Sequence, residues 1–506
     1  MPREFWGYDG DSRPGRRNKA ARAEKIEGVE NMAAKRVMTF GVVVGNRGFF
    51  PGHLAKTGRD EIISVLEAVG ARAVVLGPDD SRHGAVETYA ESQRCAELFK
   101  KHADEIDGII ITLPNFGEER GIVDAIRLSG LKVPVLVQAT PDRAEAMTIA
   151  VRRDSFCGKM SACNNLMQYG IPYSLTTLHT ESLDSAEFTA DLEWFSAVCR
   201  IVKGLKNLRI GAIGARPTAF NTVRYSERLF ETSGISIETI DLSEIFGRIS
   251  RMKDTDDEAQ AKLAAIKSYV STSGIAEAAL VKMAKLGAVI DGWMKQTNVT
   301  ISAVQCWTSF EEFFGVVPCT IMSMMSNDLI PSACEVDVPG TLSMYMLALA
   351  SGTPSALLDW NNNYGSHPDK CVCFHCSNLP KHFFAKPPRM DYQEIIAGTV
   401  GKENTFGTCV GRVKSGTMTY ARFSTDDRRG VIRGYTGAGK FTDDPLETFG
   451  GAGVAEIPQL QKLLKYICRE GFEHHVAANF SDVSRAVHEA ARYLGWESYH
   501  HGAVEE

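Results

Sequence analysis

VMTFGVVVG (37–45) decides the fold of the N-terminal half, because it is a continuous apolar run of strand length. Strands of a parallel sheet are buried on both faces by crossover helices, so they are apolar throughout rather than alternating. The helical segment DEIISVLEAVG (60–70) follows, and the same pattern returns three times, in ARAVVLG (71–77), GIIITLP (108–114) and VPVLVQA (133–139). The series predicts a doubly wound parallel sheet.

A second α/β series of similar size starts with RIGAIGARP (209–217). Its predicted partner strands are SIETIDL (236–242) and VTISAVQCW (299–307). Two long helical segments, 256–273 and 274–295, lie between those strands. The sequence therefore predicts a second α/β unit.

The composition changes after about residue 365, where glycine, threonine and charged residues dominate through 405–441. Short alternating segments such as TMTYARFS predict an antiparallel β domain with exposed turns. IPQLQKLLKYICREG (457–471) and the segment 483–494 predict two terminal helices. The predicted organisation is a flexible basic extension at 1–36, an α/β domain at 37–178, a second α/β domain with Glu335 at 179–355, and a β-rich domain with terminal helices at 356–506.

The overall charge limits the classes of partner. A formal net charge of -6 argues against a general nucleic-acid-binding protein, which would carry a basic excess. No apolar run reaches the roughly 18 residues that a membrane-spanning helix needs. Twelve cysteines without a secretory signal indicate reduced thiols, so we expect a cytoplasmic protein.

The first 35 residues are polar and basic, with RPGRRNKAARAEK as their core. We expect a flexible extension, or a leader ahead of an alternative start at Met32. A nucleic-acid-binding arm is the alternative hypothesis.

Two acidic residues flank a predicted helix. Glu335 precedes TLSMYMLALA (341–350), for which Thr341 is the predicted cap, and Asp359 ends the predicted short strand SALLD. In a right-handed crossover both residues would reach the carboxyl edge of the sheet, where ligands bind in open α/β sheets. Such a carboxylate pair can hold Mn²⁺ or Mg²⁺ and can move a proton between adjacent carbons of an enediol. The alternative is that Glu335 caps a helix and Asp359 ends a strand in water.

Two segments supply histidines. KCVCFHCSNLPKHF (370–383) contains His375 among closely spaced cysteines, which is tighter than the usual spacing of a structural zinc site. We predict that His375 lies near the carboxylates and that the cysteines pack in the core, with structural zinc as the alternative. GFEHHVAANF (471–480) contains His474 and His475, and only one of two neighbours on an extended segment would face a metal.

Other segments are less specific. GNRGFFPGH (45–53) follows the first strand but lacks the phosphate-binding fingerprints, so no nucleotide cofactor is predicted. Gln305 and Trp307 end a predicted strand, where they either contact a sugar or pack in the core.

Five segments in order resemble the L-fucose/L-arabinose isomerase superfamily, and the spacing of Glu335 and Asp359 resembles its L-fucose isomerase branch. The resemblance runs from about Val37 to the C-terminus. The segments are QCWTSFEEFFG (305–315), ACEVDVPGTLSMYMLALASG (333–352), LLDWNNNYG (357–365), HCSNLP (375–380) and GFEHHVA (471–477).

The resemblance implies two Rossmann-like doubly wound domains, a β-rich C-terminal domain and a metal-dependent aldose–ketose isomerase that acts through an enediolate. It implies that Glu335 and Asp359 are Mn²⁺ ligands and proton-transfer residues, with Mg²⁺ or Co²⁺ as possible substitutes. His475 would be the third ligand, and His375 and His474 would bind the metal or support its ligands.

The resemblance also implies substrate-binding roles for a set of further residues, which are Arg47, Phe50, Gln305, Trp307, Trp360, Asn361 and Asn362. It implies a homo-oligomer, commonly a hexamer, in which Arg47 and Phe50 of one subunit face a neighbour's sugar. L-Fucose or D-arabinose is the first expected substrate. Because the C-terminal domain is shorter than in the longer L-fucose isomerases, an anionic hexose such as sulfoquinovose, held by Arg47 or another arginine, is the alternative. A non-catalytic sugar-binding protein and a metal-dependent lyase or epimerase are the competing classes.

Overall fold

The computed structural model describes residues 37–503, so the predicted basic extension at 1–36 lies outside the described residues. Within that range the strands form three sheets. None of the helices in the described range is long and apolar enough to cross a bilayer.

The first sheet is parallel throughout and has the strand order β2-β1-β3-β4-β5. Its strands are β1 (Thr39–Val44), β2 (Arg72–Val74), β3 (Gly108–Leu113), β4 (Val135–Ala139) and β5 (Ser174–Leu175). Its helices are α1 (Gly52–Ala68), α2 (Tyr89–Lys101), α3 (Glu119–Ser129), α4 (Ser155–Gln168) and α5 (Ala186–Leu205). Separate apolar clusters cover its two faces, one around Val43 and Ile111 and the other around Val42 and Ile110. The doubly wound sheet predicted from 37–139 is confirmed.

The second sheet repeats this plan with four parallel strands in the order β7-β6-β8-β9. The strands are β6 (Arg209–Ile213), β7 (Ser236–Ile240), β8 (Ile301–Val304) and β9 (Ser332–Ala333). The helices are α6 (Glu227–Thr232), α7 (Leu242–Arg251), α8 (Asp257–Tyr269), α9 (Glu277–Thr297), α10 (Ser309–Phe313), α11 (Cys319–Asn327) and α12 (Val338–Ser351). Neighbouring strands β6 and β8 lead into connections on opposite sides, so the switch point of this sheet lies between them.

The third sheet has nine strands in the order β12-β13-β16-β11-β10-β17-β14-β15-β18. The strands are β10 (Ser355–Asn363), β11 (Lys370–His375), β12 (Arg389–Tyr392), β13 (Phe406–Arg412), β14 (Gly416–Asp426), β15 (Val431–Thr442), β16 (Gly451–Glu456), β17 (His475–Asn479) and β18 (Glu497–His501). The helices are α13 (Glu394–Val400), α14 (Leu460–Glu470) and α15 (Ser484–Tyr493). Short 3₁₀ turns lie at Arg82–Gly84, Asn221–Val223, Lys381–Phe383 and Lys402–Asn404.

This third sheet closes on itself. β16 pairs with β11 on one side and also with β15, so six strands from β16 through β11, β10, β17 and β14 to β15 form a ring of pairings. Ring closure leaves those six strands without a free edge. The β-rich prediction is confirmed, and the predicted antiparallel pairing holds except that β13 pairs with β16, and β15 with β18, in parallel. The domain boundaries drawn from the sequence stay predictions.

The predicted cap of α12 is wrong. The helix begins at Val338 because the carboxylate of Asp337 accepts a hydrogen bond from the Gly340 amide at 2.8 Å, which caps the first turn. Thr341 lies inside the helix, where its hydroxyl donates to the carbonyl oxygen of Ser302 at 3.0 Å.

The predicted crossover is also wrong in its topology. β9 belongs to the second sheet, whereas β10 runs antiparallel to β11 and β17 in the third sheet. Asp359 lies within the nine-residue strand β10 rather than at its end. α12 therefore connects two different sheets, and its sides pack against both, so it is buried along nearly its whole length.

Candidate active site

The side chains of the candidate site come from the carboxyl ends of the second sheet and from the ring of the third. Glu335 follows β9 by two residues, and Trp307 follows β8 by three. Asp359 on β10 pairs across the ladder with His475 on β17, so both side chains project from the same face. The site therefore lies beside the switch point of an open sheet, which is where ligands bind in such folds.

Glu335 lies in a strained turn. Its φ is 56°, and that of Val336 is 54°, in the left-handed region that β-branched residues rarely adopt. Such conformations cost about 1–3 kcal/mol each and persist only where the surroundings enforce them. Hydrogen bonds from the Val336 amide to the carbonyl of Val304 at 3.3 Å, and from the Asp337 amide to that of Cys334 at 2.9 Å, hold the turn.

The two acids and two histidines converge. His475 Nε2 lies 3.4 Å from Asp359 Oδ1 and 3.9 Å from Glu335 Oε2, and His375 Nε2 lies 3.7 Å from Glu335 Oε2. Ligand atoms of Glu335, His375 and His475 lie within 4.8 Å of one another, as do those of Asp359, His474 and His475, so His475 belongs to both sets. The convergence expected for Glu335 and Asp359 is present, although two different sheets produce it.

The donor set fits a divalent cation. Glu335 Oε2 and Asp359 Oδ1 are buried, and neither has a hydrogen-bond partner among residues 37–503. A buried carboxylate oxygen without a partner is costly unless a cation or a proton neutralises it. Burial raises the pKa of Asp359, while the charges of the nearby histidines oppose that rise. Two carboxylates with imidazole nitrogens can hold Mn²⁺, Mg²⁺ or a related ion.

Asp337 orients His475 from behind. Its Oδ2 lies 2.7 Å from His475 Nδ1, so an ionised Asp337 accepts a hydrogen bond there and leaves Nε2 as the ligand atom. Burial alone would raise the pKa of Asp337, but the charge of Arg422 and the hydrogen bond from His475 hold it well below its usual range.

Arg422 neutralises Asp337 from the side away from the site. Its guanidinium donates two hydrogen bonds to Asp337, at 2.6 and 3.0 Å, and its Nε donates to Glu473 at 3.1 Å. Ser424 also donates to Glu473. Arg422 is fully buried, so the cluster is a closed ion network under the site.

Trp307 forms one wall of the site. Its indole Nε1 donates to Glu335 Oε1 at 2.9 Å, and the Cys306 thiol approaches the same oxygen at 3.5 Å. The ring of Phe220 lies edge-on to Trp307, with centroids 5.1 Å apart, and also contacts His475 at 6.1 Å. Trp307 therefore fixes the carboxylate of Glu335, and the apolar rings limit the access of water to it.

Gln305 holds a loop beside the site, and its predicted contact with a sugar stays a prediction. Its Oε1 accepts a hydrogen bond from the Ala215 amide at 2.8 Å, and its Nε2 donates to Ser309 at 3.1 Å. Gly214 has a φ of 82°, and a Cβ there would lie 2.6 Å from Gln305 Oε1. Gln305 thus fastens the loop 214–220, which carries Phe220, to the end of β8.

The two histidines of the pair lie closer together than predicted. His475 is buried, and the partly exposed His474 places its Nε2 3.7 Å from the same Asp359 oxygen. The opposite-facing prediction fails because β17 begins at His475, so His474 belongs to the preceding turn rather than to the extended strand. His474 remains a candidate ligand or support.

Trp360, Asn361 and Asn362 follow Asp359 on β10 but do not join the acid cluster. The indole of Trp360 donates to the hydroxyl of Tyr435 at 2.9 Å, which turns it into the core of the third sheet. Asn361 and Asn362 are exposed, and hydrogen bond to each other at 2.8 Å. Their predicted substrate-binding roles stay predictions.

Arg47 and Phe50 lie at the first sheet, in the loop after β1. Arg47 forms ion pairs with Glu118, at 3.5 Å, and with Glu119, and its guanidinium lies over the ring of Phe116. Phe50 packs against that same ring at 5.5 Å. These contacts do not bring Arg47 or Phe50 to the acid cluster of the same chain, and their role at a neighbour's site stays a prediction.

Sequence reasoning missed Asp337, Arg422, Glu473 and Phe220. A signal was present for Asp337, two residues after Glu335 in an apolar segment, and for Arg422, the single charge within TMTYARFS. A charge in the middle of a buried strand predicts a partner but does not say which one. Phe220 had no signal, because only the fold brings its loop to Trp307.

Two family models match parts of this chain. The family described as fucose/sulfoquinovose isomerase, N-terminal domain, matches residues 41–206. The family described as L-fucose isomerase, C-terminal domain, matches residues 373–501. The second match contains His375, His474 and His475.

Individual relatives point to the same family. A protein named sulfoquinovose isomerase from Alkalicoccus urumqiensis is 25% identical over 369 residues, which are 71% of this chain and 79% of the relative. A protein of the same name from Priestia aryabhattai is 23% identical over 402 residues, 78% of this chain and 85% of the relative. Another from Clostridium sp. (strain MSTE9) is 28% identical over 154 residues, 30% of this chain and 34% of the relative. The chain belongs to the fucose isomerase-like superfamily and is an aldose–ketose isomerase.

Proposed function

We propose that the chain converts sulfoquinovose, an aldose with a sulfonate on C6, into the corresponding ketose, with a divalent cation held by Glu335, Asp359 and His475. The observation that carries the proposal is the pair of buried carboxylate oxygens without partners in the described chain, Glu335 Oε2 and Asp359 Oδ1, on either side of His475 Nε2. The names of the relatives favour sulfoquinovose over the L-fucose or D-arabinose expected first.

The cation we propose is Mn²⁺, with Mg²⁺ or Co²⁺ as substitutes, because a set of two carboxylates and an imidazole suits these ions. When bound, such an ion polarises the oxygens on C1 and C2 of the open-chain sugar and favours negative charge on them. His475 offers Nε2 to it because the protonated Nδ1 donates a hydrogen bond to Asp337. His375 is a fourth ligand or holds Glu335 in place.

The chain's own acids move the protons. One of Glu335 and Asp359 removes the proton from C2, and the other transfers a proton between the sugar oxygens and C1, so the aldose becomes a ketose through an enediolate. General bases of this kind contribute about 10²–10⁴-fold to rate. Trp307 keeps Glu335 Oε1 engaged, which leaves Oε2 for the reacting groups. The rings of Trp307 and Phe220 exclude water beside the carboxylates.

We assign recognition of the sulfonate to Arg216. It lies on the loop 214–220 that Gln305 fastens beside the site, four residues before Phe220. Its guanidinium donates to the carbonyl of Pro217 at 3.0 Å, and within residues 37–503 it forms no ion pair with a carboxylate. Arg47 is a poorer candidate within one chain, since Glu118 and Glu119 already neutralise it.

The test compares sugars with purified full-length protein and Mn²⁺ in D₂O, read by NMR for ketose formation and for deuterium at the exchanged carbon, with EDTA as the control. Sulfoquinovose should react fastest, ahead of D-glucose, L-fucose and D-arabinose, and EDTA should stop the reaction. A faster reaction of L-fucose would overturn the substrate while leaving the isomerase. Binding without turnover, or a product other than the ketose, would overturn the proposed reaction.

A matched pair of variants tests the anion site. Arg216→Ala should lower kcat/KM for sulfoquinovose roughly 10- to 100-fold, since a hydrogen bond to a charged group contributes about 1.5–3 kcal/mol. It should leave the slow reaction of the uncharged sugars unchanged. Arg209→Ala, at the other end of β6 and paired with Glu238, is the control and should change neither. An equal loss for charged and uncharged sugars would contradict the assignment.

A further inference from the structure

Four buried cysteines lie directly behind the carboxylate site, and the proposed reaction uses none of them. They are Cys306, Cys319, Cys334 and Cys376, each at most 8% exposed. The Sγ atoms of Cys319, Cys334 and Cys376 all lie within 4.8 Å of one another. Cys306 lies within the same distance of Cys334 and of a carboxylate oxygen of Glu335. All four are free thiols.

The cluster joins four separate segments of the chain. Cys306 follows β8, Cys334 follows β9, Cys376 follows β11, and Cys319 is the first residue of α11. Thiolates are the form that binds metal, and metal binding releases the proton of each thiol. Four cysteines from four segments are not neighbours in sequence, so only the fold assembles them.

The spacing of these sulfur atoms suits a small thiophilic ion. Zn–S bonds of about 2.3 Å in a tetrahedral site hold the sulfur atoms about 3.8 Å apart. The sulfur atoms of Cys319, Cys334 and Cys376, already within 4.8 Å of one another, need to move by no more than about an ångström to reach that geometry. Cys306, which is that close to Cys334 but belongs to a set without Cys319 and Cys376, needs to move further. Mg²⁺ and Mn²⁺ prefer oxygen ligands, whereas thiolates select Zn²⁺. The carboxylate site and the cysteine cluster would therefore bind different ions.

A second observation also favours a cation here. Glu311 on α10 is 1% exposed, and neither of its carboxylate oxygens has a hydrogen-bond partner in the described part of the chain. Glu311 lies near Cys376, so a cation among the thiolates would also offset the charge of an ionised Glu311.

We propose that Cys319, Cys334 and Cys376, with Cys306 as the fourth ligand, form a structural zinc site separate from the carboxylate site. Its position gives it a role. Cys334 precedes Glu335 in the turn with positive φ values, and Cys376 follows His375. Zinc bound there ties that turn to the end of β11 and to the start of α11, and so holds two side chains of the carboxylate site in place.

Cobalt substitution tests this inference directly. The full-length protein is stripped of metal under reducing conditions and titrated with Co²⁺. Thiolate ligation gives a sulfur-to-cobalt charge-transfer band and intense visible bands, which oxygen and nitrogen ligands do not give. We expect the thiolate band in the wild type and in Asp359→Asn, which alters only the carboxylate site.

Cysteine variants provide the matched pair. Cys319→Ser should weaken the thiolate band, because one of four sulfur ligands is lost, and Cys409→Ser should keep its full intensity, because Cys409 is equally buried, on β13, but lies outside the cluster. An undiminished band in Cys319→Ser, or a band that disappears in Asp359→Asn, would overturn the site. Far-ultraviolet circular dichroism reports whether each variant is folded.

If Cys319→Ser does not fold, measurements on the wild type alone test the zinc site. Zinc-loaded protein should show zinc–sulfur distances of about 2.3 Å by X-ray absorption. Coordination by nitrogen and oxygen alone, or no zinc retained after dialysis against excess Mn²⁺, would overturn the proposal. None of these measurements depends on isomerase activity, so the zinc site and the proposed substrate stand or fall separately.

Discussion

Two groups of carboxylates lie next to each other, and they differ in whether their oxygens have hydrogen-bond partners. In the lower region, formed by Asp337, Glu473 and Arg422, every carboxylate oxygen accepts a hydrogen bond from Arg422, Ser424, His475 or the Gly340 amide. In the upper region, formed by Glu335 and Asp359, one oxygen of each acid is buried without a hydrogen-bond partner anywhere in 37–503.

This difference indicates that the two regions have different roles, one in holding the site in place and the other in the reaction. A network whose members satisfy one another has nothing left to offer a ligand, and it holds its neighbours rigidly. Acids that the fold leaves unsatisfied are destabilising by themselves, and they persist where a ligand completes them. The lower region should therefore control stability and ligand geometry, and the upper region should control turnover.

The largest expected effect follows from changing the upper region. Glu335→Gln and Asp359→Asn should each lower kcat/KM by about 10²–10⁴-fold, because each removes a proton-transfer group. Stability should not fall, since the change removes a buried negative charge. Isomerase rates in metal-replete buffer, C2 proton exchange in D₂O and urea unfolding measure these effects. Glu312→Gln, on the exposed side of α10, is the control, and wild-type activity in Glu335→Gln would refute the mechanism.

The next effect breaks the lower region. Arg422→Met should lower the free energy of unfolding by about 3–5 kcal/mol, because it leaves Asp337 and Glu473 buried without their cation. Arg429→Met removes a surface pair with Glu497 at 2.8 Å and should cost less than about 1 kcal/mol. Urea denaturation compares the two variants. Equal costs would mean that the lower region does not depend on its ion pairs.

The smallest effect links the two regions. Asp337→Asn keeps the shape of the side chain but removes the charge that orients His475, so cation affinity should fall about 10- to 100-fold. Activity measured against free Mn²⁺ should recover at high concentration. Asp443→Asn, on the surface, should leave the titration unchanged. Activity that saturating Mn²⁺ does not restore would show that Asp337 acts in turnover itself.

Much of the fold was predictable because buried parallel strands have a recognisable sequence pattern. Continuous apolar runs such as 37–45 and 108–114 have few alternatives to a doubly wound sheet, and both lie in one. The topology around Asp359 was not predictable. SALLD is equally apolar in a parallel crossover and in a closed β ring, and only its pairing with β11 and β17 distinguishes the two.

The residue types of the candidate site could be predicted from the sequence, but the hydrogen-bond partners of those residues could not. Glu335, Asp359, His375 and His475 stand out as polar residues in apolar segments. The hydrogen-bond partner that orients His475, however, is Asp337, which lies 138 positions earlier in the chain. No periodicity connects positions that far apart.

The sequence by itself determined which reactive side chains are available: two acids and a histidine pair in apolar segments, on an α/β framework with a β-rich C-terminal part. Only the tertiary structure decided which oxygens are left unpaired, that Arg422 neutralises Asp337 and Glu473, and that four cysteines meet behind Glu335. The physical reason is that burial and hydrogen-bond partners are properties of chain segments brought together from different sheets, whereas the sequence records only the side chains that each segment carries.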